Sequence, residues 1–399
     1  MLGSKLRSGR LLAGLTQAQV VTRLADHGLS LTKAGLSKYE KGKSTPKAGL
    51  LIALSSIYSV PSNWFLQPYH CEITWFAFRR RAGMGKKVEE RVKSYALELA
   101  ERQAELENLL SPGVKVHYPK AIKPDSVCEI EEAALKLRKQ WGLGNQPILG
   151  VVESVESNGG IVIEIPFPLK GFDGLSGRTD AGSPVIVIGG DFPSDRRRFS
   201  VAHELGHLML DCEGMNEKLC EQAANKFAGA FLVPEDAARA ELGEKRRKLS
   251  IEELGLLKRR WGLSMQGWVY RAFDLGIVGY GEATRLFSLF NSRGWRKEEP
   301  TEFEADESPM KFRRMAHRAL AEGMITPSKA EEILPGITGE ETKSDKKHVY
   351  PTALEMLSWS LKDRDNYLRE VAQGIETDYE KGGALRCFDA FSDEEIPEE

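Results

Sequence analysis

Cysteine is scarce here and never paired. The five residues, Cys71, Cys128, Cys212, Cys220 and Cys387, contain no Cys-x-x-Cys spacing. An odd, scattered set of this kind argues against a disulfide framework and fits a reducing compartment. Long apolar runs are missing too. No stretch approaches the roughly 18–20 residues that cross a bilayer, and the N-terminal "LLAGL" is too short for a signal-peptide core and has no cleavage pattern behind it. The expected location is cytoplasmic, with no membrane partner. An excess of one charge is also absent: 56 Lys+Arg against 58 Asp+Glu leave −2. The overall balance therefore points neither to nucleic acid nor to a membrane surface. No internal repeat and no low-complexity tract interrupts the 399 residues, which are enough for two or three domains.

What is present is unevenly placed. Residues 1–70 carry nine Lys/Arg and two Asp/Glu, a local +7, while the chain closes on the acidic "FSDEEIPEE". Asymmetry of this kind says more than the total. The basic end reads as short helices: "TQAQVVTRLADHG" runs from a Thr cap to Gly28, "SLTKAGLSKYEKG" from Ser30 or Thr32 to Gly42, and "KAGLLIALSSIYSV" follows Pro46. A helix, a tight turn and a second helix with small and polar residues is the pattern that lays its second helix in the major groove. The positions offered to DNA are Thr32, Lys33, Ala34, Ser37 and Lys38, with Gln17 placed for the phosphate backbone. The pattern alone also admits a small helical bundle with a solvated basic face.

Residues 86–110 show helical spacing of apolar residues with interleaved charge, which suits a packing helix, a linker helix or a dimerisation helix; a homodimer therefore stays open. Three prolines in "SPGVKVHYPKAIKPD" mark the clearest boundary. Beyond it come two helices, the strands "GIVIEIPF" and "SPVIVIGG", and further helices, an α+β order. From residue 250 the pattern is helical, broken near 294–300, 323–327 and 335–339.

The stretch "RRRFSVAHELGHLMLD" holds two of seven histidines. On a helix, His203 and His207 stand one above the other, and Glu204 lies about 100° around the axis. Two imidazoles on one face with a carboxylate beside them is the HExxH arrangement: the histidines bind zinc and the glutamate is the general base. A catalytic zinc needs a third protein ligand. Glu221 follows 14 residues after His207, on a stripe with Ala224, Asn225 and Ala228 whose small side chains admit a close helix pair. It is preferred to Glu213 and Glu217, which lie in the likely connection, and to the soft ligands Cys212 and Cys220, because an open His2Glu set suits hydrolysis. Gly206, between the histidines, leaves room for a neighbour's backbone. The three arginines at 196–198 read as partners for nearby acids such as Asp191 or Asp195 rather than for nucleic acid. His317 reads as a surface histidine, and Tyr270 and Tyr280 are candidates for stabilising an oxyanion. A strand such as "PVIVI" could pair with an extended substrate.

Two resemblances add to these readings. "LTQ", "GLSKYEKG" and "STPKAGLLIALSSIYSVP" resemble the Cro/CI-type (XRE) helix-turn-helix, with "DHGLSLTK" slightly lengthening the turn. "PVIVIGGDFPSDRRRFSVAHELGHLML" followed by "EQAANKFAGAFLVP" resembles the ImmA/IrrE metallo-endopeptidases, as do the flanking "GGIVIEIPFPLKGFDGLSGR" and "LKRRWGLSMQGWVYRAFDLGIV". The chain departs from many members after the second histidine, where "LMLDCEG" puts Asp211 in place of a further histidine.

Together these resemblances imply a multi-domain protein. Its parts are an all-α helix-turn-helix domain (1–68), a linker helix (69–120) and an α+β zincin-like (gluzincin) metallopeptidase domain (121–295). A helical extension (296–344) and a C-terminal helical segment with an acidic tail (345–399) follow. They also imply His203, His207 and Glu221 as Zn2+ ligands and Glu204 as the catalytic acid/base. The implied partners are a double-stranded DNA operator and a protein substrate, a transcriptional repressor in a stress, phage or mobile-element response. The other reading is an antitoxin-like or effector-responsive transcription factor whose zinc domain senses without cutting.

Overall fold

A computed structural model describes residues 2–66, 71–80, 85–110, 118, 120–124, 126–167, 169, 172–190, 192–296 and 298–338, with positions 366 and 369. The segment Met1–Pro335 is one compact unit and Gly336–Glu399 a second. The expected amphipathic helix and acidic tail beyond residue 345 lie outside the described residues.

Four helices open the chain: α1 (Leu2–Leu12), α2 (Gln17–Asp26), α3 (Lys33–Glu40) and α4 (Ala48–Tyr58), followed by a 3-10 turn at Ser62–Leu66. Thr16 and Gln19 close a capping box at the start of α2, and the Thr32 hydroxyl caps α3 by accepting from the Gly35 amide. Leu6, Val20, Leu24, Leu36, Leu54 and Trp64 form their common core.

Next comes β1 (Ile73–Arg80), then α5 (Lys86–Leu110). A strand at this place departs from the expected linker helix. "ITWFAFRR" is rich in β-branched and aromatic residues, with Ile73 and Trp75 turned to the core and Thr74 and Phe76 exposed. α5 is a packing helix: Val92, Ala96 and Ala100 are buried against the sheet, and Lys5 of α1 is buried beside Glu98 (3.8 Å) and Glu101 (3.1 Å). The Trp64 indole N–H donates to Glu98 at 2.7 Å. The apolar stripe that suggested a dimer is thus used within the chain.

Then follow α6 (Val127–Gln140), α7 (Val151–Ser157), β2 (Ile161–Ile165), β3 (Phe172–Thr179), β4 (Pro184–Gly189), α8 (Ser194–Met209) and α9 (Glu217–Leu232). Among the described residues the sheet has four strands, in the order β1-β3-β4-β2. β2 and β4 are parallel, while β3 is antiparallel to both β4 and β1. Strand alternation divides the residues between two cores: Val162, Ile186 and Ile188 face the helical layer that contains α8. Ile161, Ile163, Ile165, Val185 and Val187 face α5. β4 is therefore an interior strand with partners on both sides, which overturns the expectation that "PVIVI" could accept a substrate strand.

α10 (Glu235–Leu242), α11 (Ile251–Trp261), α12 (Met265–Asp274) and α13 (Tyr280–Ser292) complete the large core. The helical reading fails at 301–310, which is extended, before α14 (Lys311–Ala321) and α15 (Pro327–Ile333). Carboxylates in this extended strap and just before it hold it by satisfying helix N-termini. Glu299 accepts from the Met265 and Gln266 amides at 2.9 and 3.0 Å, and Glu307 from those of Val151 and Val152 at 3.0 and 2.9 Å.

Candidate metal centre

The second half of α8 is buried all round, from Val201 to Met209, because the sheet lies on one side and α9 on the other. Gly206 makes the second contact close. A Cβ there would sit 3.1 Å from Ala224 Cα, so the small residues at 206 and 224 set the spacing of the two helices, as the stripe on α9 suggested.

That spacing brings three side chains to one point. His203 Nε2 and His207 Nε2 are 3.1 Å apart. Glu221 places one carboxylate oxygen 3.4 Å from the first and the other 3.3 Å from the second. Among the described residues this is the one group of three such side chains with a converging set of donor atoms. Separations near 3 Å between nitrogen and oxygen donors fit a single tetrahedral ion at roughly 2.0–2.2 Å, and a two-imidazole, one-carboxylate set suits zinc with one position open. Burial would raise the Glu221 carboxyl, but the two imidazoles overcome it and hold the group well below the usual carboxylate range. Cys212, Glu213, Cys220 and Glu217 stand outside the cluster.

Each imidazole is held from behind. Asn225 Oδ1 lies 2.9 Å from His203 Nδ1, and Cys220 Sγ lies 3.6 Å from His207 Nδ1. With Nδ1 protonated toward these acceptors, both Nε2 lone pairs face the cluster. Sequence reasoning named Asn225 only as a small residue on the stripe. The signal for more was its place one turn beyond Glu221.

Glu204 is buried at the edge of this group. Its Oε2 has no hydrogen-bond partner, and its other oxygen backs on β3, where a Cβ on Gly174 would come within 2.3 Å. Burial raises its pKa, with Glu221 adding to the rise. The two histidines, and the Ser176 hydroxyl close by but outside normal hydrogen-bond geometry, oppose it. The buried Glu204 carboxylate thus leaves one oxygen unpaired beside three metal-type donors. Gly174→Ala should therefore unseat Glu204. The expected outcome is unchanged zinc stoichiometry with a loss of cleavage on the order of 10²-fold; parallel metal analysis and cleavage assays check it.

The supporting charges differ from expectation. Arg196 pairs with Asp173 (2.8 Å), Arg197 with Glu164 (2.7 Å) and Arg198 with Glu307 (2.6 Å), whereas Asp195 binds Lys258 at 2.9 Å. The arginines do pair with acids, but with acids distant in sequence; Asp191 lies outside the described residues. Asp211 turns to its own loop and accepts from the Glu213 amide at 3.0 Å. Tyr270 and Tyr280 are exposed, with their rings against Phe287 and Phe273.

At the basic end, Thr32, Lys33, Ala34 and Lys38 are exposed along α3, and Ser37 is half-buried. α3 is fixed from beneath by a buried pair, Arg10 and Glu40, at 2.5 Å. Gln17 donates to the same carboxylate at 2.8 Å, which ties the start of α2 to the end of α3.

Residues 6–65 match the model of a helix-turn-helix family, HTH_3, and residues 158–273 that of the IrrE N-terminal-like domain, Peptidase_M78. The chain is a fusion of these two domains. No curated protein matches it. The IrrE-like match begins just before β2 and ends within α12, so it contains His203, Glu204, His207 and Glu221 but neither β1 nor the strap at 301–310. The helix-turn-helix makes this a DNA-binding chain, and the IrrE-like domain is of metallopeptidase type. Among the described residues, no helix is long and apolar enough to cross a membrane.

Replacing Lys33 or Lys38 with Ala should weaken binding to a duplex from the gene's own upstream region. If the lysine meets phosphate, the slope of log K against log salt should fall by about 1 per lysine. Titrations at several salt concentrations measure it, and unchanged affinity in both variants would remove α3 from the interface.

Proposed function

We propose that the chain is a cytoplasmic, operator-bound, zinc-dependent endopeptidase that cuts a transcriptional repressor. The observation that carries this reading is the convergence of His203, His207 and Glu221 beside the buried carboxylate of Glu204, whose Oε2 has no hydrogen-bond partner. Zinc, when bound, supplies a Lewis acid that polarises a peptide carbonyl and acidifies water.

The chain's own residues do the rest. His203, His207 and Glu221 hold the ion, while Asn225 and Cys220 keep both imidazoles turned toward it. Glu204 accepts the proton of the attacking water on a carboxylate oxygen and returns it to the leaving amine nitrogen. Its raised pKa suits both steps. Among the described strands, β1 and β2 are the edges an extended substrate could join, since β3 and β4 are interior. Gln17, Thr32, Lys33, Ala34, Ser37 and Lys38 bring the site to a promoter, where repressors with DNA-binding domains are concentrated.

The test uses the full chain with zinc and each repressor encoded beside its gene. One defined fragment should form, disappear on chelation and return with zinc. A zinc-loaded chain that cuts none of them overturns the peptidase reading and leaves the sensing one.

A further inference from the structure

The helix α5 belongs to neither family match, since it lies between residues 65 and 158. It runs antiparallel to α1. Lys5 of α1 meets Glu98 and Glu101, and Arg7 meets Glu90 at 2.6 Å. Past the end of α1, the first turns of α5 reach the loop that leads into α2. Lys87 Nζ donates to the Gly14 carbonyl at 3.3 Å, and a Cβ on Gly14 would sit 3.3 Å from Arg91 Cζ. Gly14 stands two residues before Thr16, the N-cap of α2, and three before Gln17. In a helix-turn-helix the first of the two helices, here α2, crosses the phosphate backbone, so these lysines stand beside the end of the domain that meets phosphate.

Charge on this part of α5 is unbalanced in one direction. Its acids are already matched, Glu89 with Lys93 at 2.8 Å and Glu90 with Arg7. Lys86 and Lys87 are exposed, and among the described residues neither meets a carboxylate. The Gly14 carbonyl takes only one of the three N–H donors of Lys87. Two cations at the start of a helix also oppose its dipole, a cost that a nearby anion removes.

We propose that Lys86 and Lys87 extend the DNA interface beyond the helix-turn-helix, each neutralising one backbone phosphate of the duplex that α2 crosses. The ligand is the phosphodiester of duplex DNA, bound without regard to base. The contact has a second consequence. α5 is a single helix of 25 residues, and Val92, Ala96 and Ala100 further along it are buried against the sheet. The helix that holds the duplex is thus the one on which the sheet beside the metal centre is packed. The proposal rests on the DNA-binding role of the helix-turn-helix and is independent of the metal reading.

The experiment titrates the full chain at several salt concentrations with a duplex from the gene's own upstream region and with a shuffled duplex of the same composition. Lys86→Ala combined with Lys87→Ala should lower the slope of log K against log salt by about 2. Affinity should fall by the same factor on both duplexes, because phosphates carry no sequence. Lys86→Gln with Lys87→Gln keeps a donor for the Gly14 carbonyl and should show the same loss, which separates missing charge from a loosened loop. Lys86→Arg with Lys87→Arg should keep the native slope. Lys136→Ala with Lys139→Ala removes the same charge from exposed positions on α6 and should leave the slope unchanged. A native slope in the glutamine variant, or an equal fall in the α6 variant, overturns the proposal. If Lys33→Ala and Lys38→Ala lower the slope while the α5 variants do not, the extension alone fails. A chain that binds neither duplex overturns the extension together with the helix-turn-helix reading.

Discussion

Glu204→Gln should bind zinc as the native chain does and cut its repressor at least about 10²- to 10⁴-fold more slowly. The substitution keeps shape and removes only the capacity to take and return a proton. It leaves the converging donors intact, because Glu204 is not one of them. It should also leave the fold intact, because the Oε2 of the carboxylate it replaces has no hydrogen bond to lose. The amide fits the same seat against Gly174. Timed cleavage with equal zinc content in both proteins measures the effect. Equal rates would show that the IrrE-like domain in this chain does not use Glu204 for catalysis. His203→Ala then serves as the contrast: it should lose both zinc and cleavage, which separates failure to hold the ion from failure to move the proton.

The parts of this centre that could be read in the sequence are those fixed by helical period. Four-residue spacing puts His203 over His207 whatever surrounds them, and the stripe of Glu221, Ala224, Asn225 and Ala228 follows from the same geometry. The helix-turn-helix is legible for a related reason: its caps, Thr16 and Thr32, are local. What stayed hidden depends on contacts between distant segments. β3, "FDGLSGRT", has little strand propensity, since two of its eight residues are glycines. Gly174 is required there because Glu204 fills the space a side chain would take. Nothing in "PVIVI" tells an interior strand from an edge, as both read as an apolar run. The arginines at 196–198 announce pairing but not partners, and their acids arrive from β3, β2 and the strap.

The last of those pairs carries the second large effect. Glu307→Ala should destabilise the metal domain by about 3–5 kcal/mol, although residue 307 lies 34 positions beyond the end of the IrrE-like match at 273. Both side chains of the Arg198–Glu307 pair are fully buried. Arg198 also donates to the Ile148 and Leu149 carbonyls at 2.6 and 3.2 Å, and Glu307 caps α7. Removing the carboxylate strands a guanidinium in the core and leaves two helix amides open. Replacing both residues, as Arg198→Met with Glu307→Leu, removes the uncompensated charge and should recover part of the loss, because the desolvation cost disappears with the pair. Denaturant unfolding of the native, single and double variants tests this, with zinc retention read alongside. A cost below about 1 kcal/mol for Glu307→Ala, the range of an exposed pair, would mean that the strap merely lies on the surface. The larger cost would make the strap part of the fold, since Arg198 stands five residues before His203 on the same helix and positions the turn that carries it.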